Sequence, residues 1–293
     1  MGYSCEIVAD SVNTLGNRIT TFQITFPRCI LAEYNSHRKC ARNSASSRAI
    51  PVEKMLKMVE DDPYIPIFTR NQVGMQGIDA SDDVDFQAKS TEAWLKAKDR
   101  AMESASDLLA LGIHKQDANR LLEPFMWHTV ITTATSWANF FTLRVHPLAH
   151  PAIQTIATMM ADTMVASQPK LLQDSEWHLP YITFAEINLV IAYYDRSLNI
   201  DEAEKTLLKM SVARCARVSY LRQSVPSSIE KDIELHDRLV GADPKHSSAA
   251  EHQAMADPEV KSSGNFDGGW LQYRHTLPNE SSKEFIWKGV IIK

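Results

Sequence analysis

A protein built of both strands and helices is what these 293 residues predict, on three observations. Residues 19–26 (ITTFQITF) are rich in β-branched and aromatic side chains with a period near two, the pattern of a strand. Trp94, Ala97, Ala101, Ala105, Leu108 and Leu109 fall on one stripe at helical spacing. A 44% hydrophobic content over this length is enough to bury a substantial core. One domain over residues 1–293, without internal repeat or linker, is therefore expected.

The elements follow in order. Pro27 stops the strand, and residues 30–39 read as a helix carrying His37 and Arg38. Pro51 at the first helical position opens a short helix over 51–60, with Val52, Met55, Leu56 and Val59 apolar. Residues 61–77 hold two prolines and two glycines and read as a loop. Residues 81–85 are acidic and expected to be exposed. A long helix begins near Thr91, with Gly112 as its C-cap. A second helix over 116–124 brings Arg120. Residues 127–141 are apolar with few charges, a buried segment that could be either type. Pro151 opens a helix whose core side is Ile153, Ile156, Met160 and Met164. Residues 177–181 read as loop. Residues 199–217 form a helix with acidic Asp201, Glu202 and Glu204 first and a basic end, as the helix dipole prefers. Ser227 and Glu230 make a capping box for a helix closed by Gly241. The glycine-rich residues 262–270 read as loop.

A net charge of −5 disfavours a nucleic-acid-coating surface. The four cysteines are scattered without a CxxC pair, which points to a reducing compartment. MGYSCEIVAD carries an acid and no apolar run, so it reads as neither signal peptide nor myristoylation site. No stretch approaches 18 apolar residues. A cytoplasmic protein with no membrane partner is expected. His146-x3-His150 and His246-x5-His252 lack supporting ligands, so no metal is expected.

Residues 27–51 stand apart. Arg28, Arg38, Lys39, Arg42 and Arg48 crowd together against a single acid, Glu33. Ser44, Ser46 and Ser47 lie between Asn43 and Arg48. Guanidinium groups beside small hydroxyls suit a phosphate, through bidentate and charge-assisted hydrogen bonds.

The string from Ser36 to Ala49 resembles the RHR-x2-S-x-N-E-x-S-x-R-Y signature of the flavin-dependent thymidylate synthases. His37, Arg38, Asn43, Ser46 and Arg48 match; Ser36, Ala41, Ser44 and Ala49 replace Arg, Ser, Glu and Tyr. NFFTLR (139–144), Ala118-Asn119-Arg120, ARCARVSY (213–220) and HSSAAEH (246–252) resemble four further pieces of that family. The last two precede the signature in the family and follow it here, so the order reads as a circular permutation, tolerable where chain ends meet at a surface.

The resemblance implies an α+β fold, a mixed sheet with a helical portion, in a homotetramer with shared active sites. It implies transfer of a one-carbon unit from methylenetetrahydrofolate to C5 of dUMP, giving dTMP, with FAD bound and NADPH as reductant. The substrate-binding set it implies is Glu33, Ser36, Ser44, Ala45, Ser46, Ser47, Arg48, Arg120 and Arg144. For the flavin it implies His37, Arg38, Asn43, Ser44, Asn139, His150, Ser219, His246, Ser248 and Glu251. The resemblance implies Arg144 as the catalytic residue, because a guanidinium beside the ring carbonyls stabilises charge as C5 becomes electron-rich. Ser46 near C6 has no adjacent general base and is assigned to positioning. The departures at Glu33, Ser36 and Ser44 keep open a hydroxymethylase giving 5-hydroxymethyl-dUMP or its dCMP analogue, as in divergent bacteriophage enzymes. They also keep open a non-catalytic flavin- or nucleotide-binding paralogue.

Overall fold

The computed structural model describes residues 2–195, 199–223, 225–242, 245–278, 280–281, 283–288 and 290–292. A five-stranded sheet organises it, in the order β3-β4-β2-β1-β5. The strands are β1 (Ser4–Val12), β2 (Arg18–Pro27), β3 (Ala41–Ser44), β4 (Trp127–Ala134) and β5 (Lys170–Leu171). β1 through β4 pair antiparallel and β5 joins β1 in parallel, so the sheet is mixed. β4 lies between β2 and β3, buried on both sides. This settles the apolar segment over 127–141: its β-branched run is a central strand, and its end is the start of a helix.

The two faces of the sheet differ. On one, Phe22, Ile24 and Phe26 pack with Ile153, Ile156 and Met160 of α6 (Pro151–Ala166). That helix opens as expected, with the His150 side chain capping Ala152 N. On the other face, Ile131 meets Val212, Cys215 and Val218 at the end of α8 (Ile200–Arg217), with Ala249 and Ala250. Much of this second face is polar. Thr21 Oγ1 lies 2.7 Å from Thr133 Oγ1 and 2.8 Å from His178 Nε2, and Thr133 Oγ1 lies 2.9 Å from His252 Nδ1. Such a network is tolerable in a core because nearly every member finds a partner.

Several expected elements need correction. The helix expected over 30–39 is only α1 (Leu31–Asn35) behind a short 3₁₀ turn. Ser36 Oγ donates back to the Glu33 carbonyl and the chain then turns toward the sheet edge. After α2 (Val52–Asp61), which Pro51 precedes as its N-cap, comes α3 (Val84–Ala110), which starts well before Thr91. Asp83 accepts from Phe86 N, so the acidic run, largely exposed as expected, also caps that helix. Gly112 (φ +76°) closes α3 as expected, its N–H on Leu109 O while Ile113 N–H reaches Leu108 O.

The helix expected over 116–124 divides into α4 (Lys115–Ala118) and a 3₁₀ segment (Asn119–Phe125). α5 (Ala138–Arg144) follows β4, and β6 (Trp177–His178) occupies part of the expected loop. α7 (Phe184–Asp195) and strand β1 were not foreseen. The cap of α9 (Ile229–Gly241) is Ser228 instead of Ser227, its hydroxyl accepting from Lys231 N. In the glycine-rich stretch, β8 (Ser262–Ser263) and β9 (Phe266–Asp267) form a tight hairpin. Beyond it β10 (Trp270–Gln272) pairs with β7 (Ala254–Ala256), which pairs with β6.

Candidate functional site

The loop after β3 is fixed from three sides. Ser46 N–H bonds to Ser219 O at 3.0 Å, tying it to the turn that follows α8. The fully buried Asn119 donates to Ser47 O and Ile50 O at 2.8 and 3.0 Å. Lys115 Nζ reaches Ala49 O at 2.9 Å. Chain segments far apart in sequence therefore hold Ser46 and Arg48 at one side of a cavity of about 800 Å³.

Asn43, Ser46, Arg48, Ser219, His246 and Ser248, all expected site residues, line this cavity. So do residues the sequence reading missed, among them His114, Arg217, Tyr220, Arg222 and Arg238. Among the described residues no carboxylate is in its lining. Arg217 is held from behind by the fully buried Asp232, which also takes Arg214 Nε at 3.1 Å. Arg48, Arg222 and Arg238 have no ion pair among the described residues. Leu221 adopts a left-handed conformation (φ +53°) that places both Tyr220 and Arg222 in the lining, a strained backbone of the kind that accumulates at sites. Three unpaired guanidiniums around one hollow repel each other unless an anion joins them.

A second, smaller hollow of about 240 Å³ is lined by Ser36, His37, Arg38 and Asn139, with Cys40, Trp137 and Phe140. Arg144 stands beside these residues: its Nε donates to His37 Nε2 at 2.8 Å and a terminal nitrogen reaches Ser36 Oγ at 3.2 Å. Burial, with the charges of Arg144 and Arg42, lowers the His37 pKa from its ordinary 6.5.

The other expected residues lie elsewhere within this chain. Arg120 is exposed and pairs with Glu123 at 2.7 Å. Glu251 pairs with Arg274. His150 caps α6. The Glu33 carbonyl receives Ser36, and its side chain lines neither hollow. Ser44 ends β3, and Ala45 and Ser47 are buried against the loop's underside, where they line a small crevice with Ser46. Arg48, Arg120 and Arg144 therefore do not converge on one hollow of a single chain. Burial pushes the Cys40 and Cys215 thiols up, which disfavours their thiolate forms at neutral pH. Among the described residues, no group of three or more His, Cys, Asp or Glu is placed to hold a metal, and no helix is long and apolar enough to cross a membrane.

Residues 15–170 match the family model described as thymidylate synthase complementing protein. The match holds the signature string, Arg120 and Arg144, and stops before the ARCARVSY and HSSAAEH stretches. Two solved structures of a UMP/dUMP methylase, PolB from Streptomyces cacaoi, resemble the chain at 16% identity. One is bound with 5-Br UMP and one with 5-Br dUMP, with TM-scores of 0.45 and 0.44; each alignment covers 56% of this chain and 89% of the other. None of the curated proteins matches.

Proposed function

The chain belongs to the thymidylate synthase complementing protein family, and from that premise we propose that it transfers a one-carbon unit to C5 of dUMP, giving dTMP. The observation that carries this reading is the large hollow, whose described lining has four guanidiniums and three serines and no carboxylate. Its donor set suits the phosphates of a mononucleotide and of a flavin dinucleotide, both anionic and both rich in acceptor oxygens.

In this reading Arg48 and the Ser46–Ser47 turn hold the nucleotide phosphate, with Ser46 also positioning the base. Asn43, Ser219, His246 and Ser248 contact FAD, and Arg217 and Arg222 add charge there. When bound, reduced flavin supplies the reducing electron pair, with NADPH as its source and methylenetetrahydrofolate as one-carbon donor. Arg144 faces the uracil carbonyls and stabilises the negative charge that develops as C5 becomes nucleophilic. Since Arg144 stands beside the smaller hollow and Arg48 lines the larger one, the reading joins them across subunits of a homotetramer, where Arg120 of one chain also reaches the phosphate in its neighbour.

The test is the mass of the product formed from dUMP and from dCMP, with FAD, methylenetetrahydrofolate and NADPH present. A methylated dUMP supports the reading. A hydroxymethylated nucleotide would replace it with the hydroxymethylase, and binding without product would leave a non-catalytic paralogue.

A further inference from the structure

Arg144, on which the proposed chemistry turns, is held by nothing anionic among the described residues. Its two side-chain partners are the His37 imidazole at 2.8 Å and the Ser36 hydroxyl at 3.2 Å. A guanidinium can only donate, so His37 Nε2 must present a lone pair. The ring proton then sits on Nδ1 and the imidazole is neutral. The ring is fixed edge-on against the buried Phe140, with centroids 4.9 Å apart, and the His37 carbonyl accepts from Arg42.

The surroundings favour that neutral form from every side. Arg144 approaches from α5, Arg42 from β3, and Arg38 and Lys39 from the adjoining loop. Of the carboxylates flanking this loop, Asp267 of β9 is taken by Lys39 at 2.9 Å, and Glu33 of α1 has no ion pair or hydrogen bond to His37 among the described residues. Protonating His37 would set donor against donor and add a cation to four others.

We propose that His37 is a positioning residue: a neutral acceptor that orients the Arg144 guanidinium toward the pyrimidine ring. The proposal deepens the function assigned above and rests on it for the identity of that ring. It differs from the flavin contact that family resemblance implies for His37. A carboxylate in this place would orient Arg144 equally well but would neutralise part of its charge. A neutral imidazole leaves the full charge for the substrate.

Two measurements on the full-length protein test it. In ¹⁵N-histidine NMR without ligands, His37 should show an unprotonated Nε2, and Arg144→Met should move its titration up toward 6.5. In turnover assays, His37→Ala should lower kcat about tenfold while KM for dUMP stays within about twofold, the loss expected for one hydrogen bond to a charged group. His37→Gln, whose amide oxygen can replace Nε2 as acceptor, should recover most of kcat and lose the acid limb of the kcat profile. A His37 titration indifferent to Arg144→Met overturns the proposal whatever the product. So does a His37→Gln variant as slow as His37→Ala. Absence of any nucleotide product in the wild type, with the NMR coupling intact, overturns the assigned reaction and leaves the clamp standing.

Discussion

The two hollows hold their arginines by opposite means. In the larger one, Arg217 leans on Asp232, a carboxylate with no exposure, while Arg48, Arg222 and Arg238 line the cavity without an ion-pair partner among the described residues. Beside the smaller, Arg144 rests on an imidazole and a hydroxyl, both uncharged. A buried ion pair builds a wall that does not move. Neutral acceptors aim a cation while leaving its charge unspent. The first arrangement suits binding, and the second suits a group that must respond as charge develops on a substrate.

Acid tests the buried histidines of the sheet region most severely. Burial pushes His128, His178 and His252 each down to about 3 from an ordinary 6.5. Unfolded, these residues take up protons near 6.5; folded, they do not. Their contribution is fully present above 6.5 and is lost as pH falls toward about 3. The slope is roughly 1.4 kcal/mol per pH unit for each, about 4 for the three together. Urea midpoints at pH 7.5 and pH 5.5 should differ accordingly, and equal midpoints would contradict three buried neutral histidines.

Next in size is Asp232→Ala, which leaves Arg214 and Arg217 without their buried partner. A loss of about 3–5 kcal/mol is expected in denaturant unfolding. The His37 signals should stay where they are, because the smaller hollow does not depend on this pair.

Arg144→Ala should reverse that pattern. Its partners are neutral, so thermal unfolding should barely change, while kcat falls on the order of 10²–10³-fold, as when one transition-state donor is removed. Unchanged turnover would take the catalytic role from Arg144.

The smallest effects separate Arg48 from Arg120. Arg48→Ala should weaken dUMP binding about tenfold by calorimetry, one charge-assisted contact to a phosphate. Arg120→Ala should weaken it less, because Glu123 already occupies that guanidinium, and should cost under about 1 kcal/mol of stability.

Local chemistry made a good part of this legible in the sequence. The β-branched run in β2, Pro151 at the start of α6, Gly112 and the Asn43–Arg48 string each reveal themselves within a few residues. What stayed hidden depends on distant partners. Strand β1 reads poorly because its interior residues are mostly half-buried and its alternation breaks at a bulge between Ile7 and Ala9. Arg222 and Arg238 carry no motif; only the fold brings their separate segments to the same hollow as Arg48. Asn119, embedded in a motif expected for substrate contact, instead pins the Ser47 and Ile50 carbonyls. A sequence shows that a polar residue is wanted at such a place, but not which backbone it serves.

The backbone bridge between Ser46 and Ser219 sets a timetable for synthesis. Asn43 and Cys215, on the two sides of that seam, are 172 residues apart, so one side leaves the ribosome roughly ten to thirty seconds before the other. β1 through β4 can pair during that wait, with the polar half of their sheet still open to water. The larger hollow thus cannot close until its second side has been made, and no ligand held there can template the pairing of β1 through β4.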